Sequence, residues 1–183
     1  MYLKFDADFL DFDLSFLQDL FALLDGRFDD LQQRIEESSD PDGMGLFDIG
    51  EYLAGMGFVA CQRYLASTYG PNDLAKKAAL AIGPYHEGGE PVARILNAAA
   101  NYWKHEDEWD TNAVIARNAD DLKPQQKDTI RIIETVTPWS DYTCVNLLAA
   151  LSDSKTPRVA TLIPFLEAWR KQLDGAKVRI TNG

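Results

Sequence analysis

Apolar and polar positions recur along this chain with the period of a helix. Phe9, Leu10, Phe12, Leu14, Phe16, Leu17, Leu20, Phe21, Leu23 and Leu24 crowd the opening segment, and the pattern turns polar from Asp29 to Glu37. One long helix running past Gly26 is expected there. Ser38 to Gly45 reads as a loop. From Phe47 to Thr68 the chain is apolar on nearly every side and carries Ala54, Gly55, Gly57 and Ala60. This predicts the central, most buried helix, its small residues letting neighbours approach closely. Gly70, Pro71 and Asn72 end it and cap a helix expected from Asp73 to Ile82.

A Gly- and Pro-rich loop over residues 83 to 91 leads into a helix from Pro91 to Trp109, which Asp110 to Asn112 ends. Further helices are expected from Lys123 and Pro124 to Val136, and from a cap at Ser140 or Asp141 to Leu151. The last starts at Thr156 and Pro157, with Val159, Leu162, Ile163, Leu166, Trp169 and Leu173 on one face, a kink at Pro164 and an end at Gly175. The two ends, Tyr2 to Phe5 and Lys177 to Ile180, are candidates to pair as a short β-ribbon. The expected fold is all-α: one domain over residues 1–183, a helical bundle of about six to eight helices around the segment from Phe47 to Thr68.

Charge changes the picture of partners. Against 18 basic side chains stand 29 acidic ones, a net charge of −11. That field repels phosphate backbones, so nucleic-acid binding through a broad basic face is disfavoured. The most apolar run, Tyr52 to Cys61, is too short to cross a bilayer, and the opening residues lack a basic stretch followed by an apolar one. Cys61 and Cys144, both in apolar helical contexts, read as buried free thiols. A cytoplasmic protein with no membrane partner and no cofactor is expected.

Candidate chemistry concentrates in the helix beginning at Pro91. At about 100° per residue, one face carries Arg94, Asn97, Asn101, His105 and Glu108, and the other Ile95, Leu96, Ala99, Tyr102 and Trp103. Arg offers a planar fork for phosphate, Asn orients, and His moves protons near neutral pH. The phrase Asn101-Tyr102-Trp103-Lys104-His105, late in a helix of an all-helical domain, resembles the HEPN superfamily. The resemblance implies a helical bundle of a kind that is often dimeric and occurs as RNA-cleaving toxins and in phage defence. His105, with Asn101, matches its motif. The family sets its Arg closer to the His, whereas ten residues separate Arg94 from His105. The expectation is therefore a protein acting through contact with a protein partner or as a homodimer, in bacterial defence or toxin neutralisation, without an intact nuclease motif. The alternative is a metal-independent ribonuclease with Arg94, Asn101 and His105 as its catalytic residues and RNA as its partner.

A second alternative is calcium binding. Asp40, Asp42, Asp48 and Glu51 occupy loop positions 1, 3, 9 and 12 of the EF-hand pattern, with a Gly at position 6 and Met44 at position 5, where an oxygen ligand is usual. The same acids also suit a loop capping the central helix. His86 sits in a Gly/Pro loop without the strand or Lys a phosphate loop needs, and neither cysteine has a basic neighbour to activate it.

Overall fold

The computed structural model describes residues 2–5, 8–70, 75–109, 122–152 and 156–181; for Phe5, Asp8 and residues 177–181 it describes the backbone alone. Strand β1 (Tyr2–Phe5) pairs antiparallel with β2 (Asp8–Asp11), Tyr2 opposite Asp11 and Phe5 opposite Asp8. The expected ribbon exists, but its second strand is the next segment of chain. Residues 177–180 instead continue the last helix. A hairpin closes locally, whereas pairing the two ends would require the whole chain to fold first.

Asp11 ends the hairpin and starts α1 (Phe12–Glu37): its Oδ1 accepts from Leu14 N at 3.0 Å, so Phe9 and Leu10 fall outside the helix. Leu14, Leu17, Phe21, Leu24, Phe28 and Leu31, spaced three and four apart, form the buried stripe. The helix passes Gly26 without a break, as its pattern predicts. After the turn through Gly45 (φ 66°), α2 (Leu46–Tyr69) takes the centre, packing against α1 and against the later helices Val92–His105, Thr143–Ser152 and Ile163–Thr181. Close approach falls at its glycines. The Trp103 ring fills the space beside Gly55, and Val159 lies where a Cβ on Gly57 would stand.

A short α3 (Lys76–Leu80) is anchored by Trp169, whose Nε1 donates to Ala79 O at 3.0 Å. The expected boundary at Pro71 to Asp73 lies outside the described residues. The helix α4 (Val92–His105) follows Pro91 and passes into a 3-10 turn over Glu106–Glu108, ending short of the stop expected from Trp109; the rest of that stop, Asp110 to Asn112, lies outside the described residues. Next come α5 (Pro124–Glu134) and α6 (Thr143–Ser152). The cap on α6 does not come from Ser140 or Asp141 side chains. Both carboxylate oxygens of Glu51, from α2, accept from Cys144 N and Val145 N at 2.8 and 3.0 Å. Asp25 of α1 does the same for the 3-10 segment Val159–Leu162, accepting from Val159 N and Ala160 N at 2.8 and 3.2 Å. Charged acceptors on the central helices thus satisfy orphan amides of later segments.

The last helix, α7 (Ile163–Thr181), begins where the 3-10 segment ends. Pro164 sits in its first turn, where a missing N–H removes no helical bond, so it marks the junction and kinks nothing inside the helix. Gly175 lies within α7 and does not end it. Seven α-helices, among the described residues, share a single hydrophobic cluster, and the hairpin lies outside it.

The hairpin is held to α7 by a buried ion pair. Arg170 NH1 donates to Asp11 Oδ2 at 2.6 Å, and Tyr64 OH donates to the same oxygen at 2.7 Å. Both charged side chains are almost wholly buried, and the guanidinium lies 4.6 Å from the Phe9 ring centroid. Burial and the Asp11 carboxylate hold the Tyr64 hydroxyl far above its ordinary range. No helix among the described residues is long and apolar enough to cross a membrane.

Candidate functional site

The stripe of α4 divides into three along its length. At the N-terminal end Arg94 joins a closed ring of charges. It donates to Glu90 Oε2 at 3.1 Å and to both Asp128 oxygens at 3.0 and 3.2 Å, while Arg131 donates to Glu90 Oε1 at 2.7 Å and Asp128 Oδ1 at 3.1 Å. Burial alone would raise the Asp128 carboxyl, but hydrogen bonds from Arg131 and Arg94 outweigh it and hold the group below its ordinary range. Two guanidiniums and two carboxylates balance, so the Arg94 fork is already answered by carboxylate.

In the middle, the Gln62 amide of α2 binds both asparagines: its Nε2 donates to Asn97 Oδ1 at 3.0 Å and Asn101 Oδ1 at 2.8 Å. Its Oε1 accepts from Lys104 Nζ at 2.7 Å. At the C-terminal end His105 is half exposed, its Nδ1 3.1 Å from Glu108 Oε1. Eleven residues of helix set Arg94 and His105 roughly 16 Å apart along the axis. The structure brings Asn97, Asn101, Gln62 and Lys104 together. It leaves Arg94 at one end and His105 at the other, with no common place for one phosphate between them.

The acids of the 40–51 segment also have separate partners. Asp40 Oδ1 accepts from Gly43 N at 3.0 Å, Asp42 Oδ1 from Tyr142 OH at 2.9 Å, and Glu51 caps α6. Asp48 stands in the first turn of α2, which begins at loop position 7 and carries the later positions away as helix. Among the described residues no three His, Cys, Asp or Glu side chains are grouped to hold a metal ion. His86 Nδ1 accepts from Gly88 N at 3.3 Å, a contact within its own loop. Cys61 and Cys144 are free and buried, and burial pushes both thiols far up.

A surface that the pattern did not single out lies between α1 and α2. Phe12, Phe16, Leu20 and Leu23 form a second apolar stripe on α1, with Phe16 and Leu23 each 71% exposed. Tyr52, Met56 and Ile49 of α2 continue the face. Two grooves run along this seam. One is about 270 Å³, lined by Phe16, Leu20, Ala60 and Arg63; the other is about 860 Å³, lined by Arg27, Arg34, Tyr52 and Met56. Its acids and bases nearly balance: Asp13, Asp30, Glu37 and Asp48 against Arg27, Arg34 and Arg63. The signal was present in the sequence, since ten apolar residues in this segment are more than one buried stripe can use. No family model, curated protein or solved structure matches this chain.

Proposed function

We propose that this protein acts through protein–protein contact, with the α1–α2 face as its contact surface and a second copy of the chain as the partner it fits. The observation that carries this reading is the exposed stripe Phe12, Phe16, Leu20 and Leu23, together with its balanced rim on a chain of net charge −11. A strongly basic partner would leave the arginines of this rim unanswered; an identical face sets them against acids of the other copy.

Packed antiparallel about a two-fold axis at Leu23, α1 would set Asp19 against Arg27 and Phe12 against Arg34 of the other copy, each pair occurring twice. Arg27 is free to turn to such a partner, since its contact with Asp30 is long, 3.4 Å, and exposed. The face offers on the order of 700 Å² of apolar side chain per copy, near the roughly 800 Å² each partner gives to a standard interface. Its HEPN resemblance would put such a dimer in bacterial defence or toxin neutralisation. Two deeply buried thiols suit a cytoplasmic setting.

Sedimentation equilibrium from about 1 to about 100 µM tests the reading. Twice the chain mass is expected, falling to the monomer in Leu23→Asp and in Asp19→Arg, and returning in the double variant Asp19→Arg/Arg27→Asp. A monomer throughout, a dimer indifferent to Leu23→Asp, or a double variant that stays monomeric overturns it. The altered side chains are exposed, so unchanged circular dichroism is expected for each.

A further inference from the structure

At the far end of α4 the chain builds a cleft of about 780 Å³ whose walls are of two kinds. Four aromatic residues line it: Tyr102, Trp109, Trp139 and Tyr142. Tyr102 meets Trp139 and Trp109 edge-on, at centroid distances of 5.0 and 5.7 Å, and the two indoles lie near-parallel, 8° apart in plane and 6.1 Å between centroids. The rings brace one another, so the wall is formed before any ligand arrives. Five carboxylates share the lining: Asp48 and Glu51 of α2, Glu106 and Asp107 of the 3-10 turn, and Asp141. Among the described residues no Lys or Arg lines the cleft.

These two wall types suit one chemistry. Ring faces carry a negative quadrupole, and carboxylates add full negative charge, so both attract a cation. A metal ion would need several oxygens converging at bonding distance, and no such group of three exists among the described residues. An organic cation needs less: its charge is spread over a weakly hydrated group that rests on rings while carboxylates stand at a distance. We infer that this cleft binds an organic cation, an alkylammonium or guanidinium group, on the Tyr102–Trp109–Trp139 wall with Glu106 and Asp107 as its counter-charges.

The electrostatics of the cleft agree with this. Glu106 is held above its ordinary range first by burial and then by the Glu51 and Asp107 carboxylates, while the Tyr102 hydroxyl works against them. Among the described residues no ion pair relieves it. A cation seated there would supply the missing opposite charge. The chemistry has two sources, a Lys or Arg side chain of a basic peptide and a free polyamine. The cleft meets the α1–α2 seam proposed for self-contact only at Asp48, and Leu23 lies outside its lining, so Leu23→Asp leaves its binding unchanged.

Calorimetric titration of the full chain with spermine, with an octa-arginine peptide and with magnesium chloride at equal ionic strength tests the inference. Saturable binding of spermine or the peptide supports it, and whichever saturates at the lower concentration identifies the source. Binding weaker by about tenfold or more is expected in Glu106→Gln/Asp107→Asn and, separately, in Trp109→Ala. The carboxamide pair keeps the shape of the site, so it remains informative should Trp109→Ala disturb the fold. Three results overturn the inference: no saturable binding by either organic cation, magnesium binding as well as they do, or both variants binding like the parent.

Discussion

The indole of Trp103, on α4, lies where any side chain at Gly55 of α2 would begin. The two central helices approach closely at this point because one position is empty and its neighbour is the largest residue available. Gly55→Ala must displace a ring that also packs edge-on against Tyr52, 5.7 Å between centroids. A loss of about 1–3 kcal/mol is expected, read from urea denaturation. Gly26 is the contrast: it lies within α1 with open space around it. In dilute solution Gly26→Ala should stabilise by up to about 1 kcal/mol. Equal effects at the two positions would show that close packing at Gly55 has been misread.

Arg170→Met leaves the Asp11 carboxylate buried with Tyr64 and a backbone amide but no counter-charge. A cost of about 3–5 kcal/mol is expected. Asp11→Asn added to Arg170→Met removes the stranded charge and should recover part of the loss. A thermal melt showing less than about 1 kcal/mol for the single variant would contradict the buried pair.

Glu51→Ala removes the acceptor for two amides of α6, and about 1–2 kcal/mol should be lost. Because those oxygens are already occupied, and Asp40 and Asp42 accept from Gly43 N and Tyr142 OH, millimolar calcium should not raise the melting temperature of the parent. A rise abolished by Glu51→Gln would restore the calcium reading.

With Arg94 held by Glu90 and Asp128, and His105 three turns away, RNA incubated with purified protein in chelator is expected to stay intact. Cleavage lost in His105→Ala, with the fold unchanged, would establish the ribonuclease. His105 is half exposed and bonds its neighbour Glu108, so His105→Ala should move stability by less than about 0.5 kcal/mol.

Glu106 gives a pH signature. Its folded carboxyl titrates above the ordinary 4.5, so between the unfolded and folded values the native state binds more proton than the unfolded chain. Its contribution to stability therefore falls as pH rises through that window, and is most favourable below it. Comparing melting temperatures of parent and Glu106→Gln from about pH 4 to about pH 7 isolates the group from its neighbours Glu51, Asp107 and Tyr102. The parent should lose ground relative to the variant as pH rises; a difference that does not change with pH removes the claim.

Periodicity made α1, α2 and the polar face of α4 legible, because a buried stripe and the small residues of a central helix are local properties. What it could not show is the destination of each polar group. Arg94, Asn97, Asn101 and His105 do share one side of α4, yet their partners come from α5, α2 and the following turn, and those distances are set by tertiary packing. The same holds for Glu51. Its spacing from Asp40 copies a calcium loop, but its carboxylate is used by amides 93 and 94 residues later. The hairpin was misassigned because Phe9 and Leu10 suit a helix as well as a strand, and Asp11 decides between them by capping. The aromatic cleft joins Tyr102 and Trp109, from one stretch of chain, to Trp139, 30 residues further on, and only tertiary packing brings the two together.

The bond between Asp11 and Arg170 also sets an order of events during synthesis. A ribosome delivers the hairpin first, yet the guanidinium that neutralises its carboxylate is made 159 residues later. Any nascent chain shorter than that carries its opening strands undocked, with their charge still needing water. The hairpin is thus made before the helices and secured after them, and fragments cut before the final helix should lose protection from proteases at the hairpin before they lose it anywhere else.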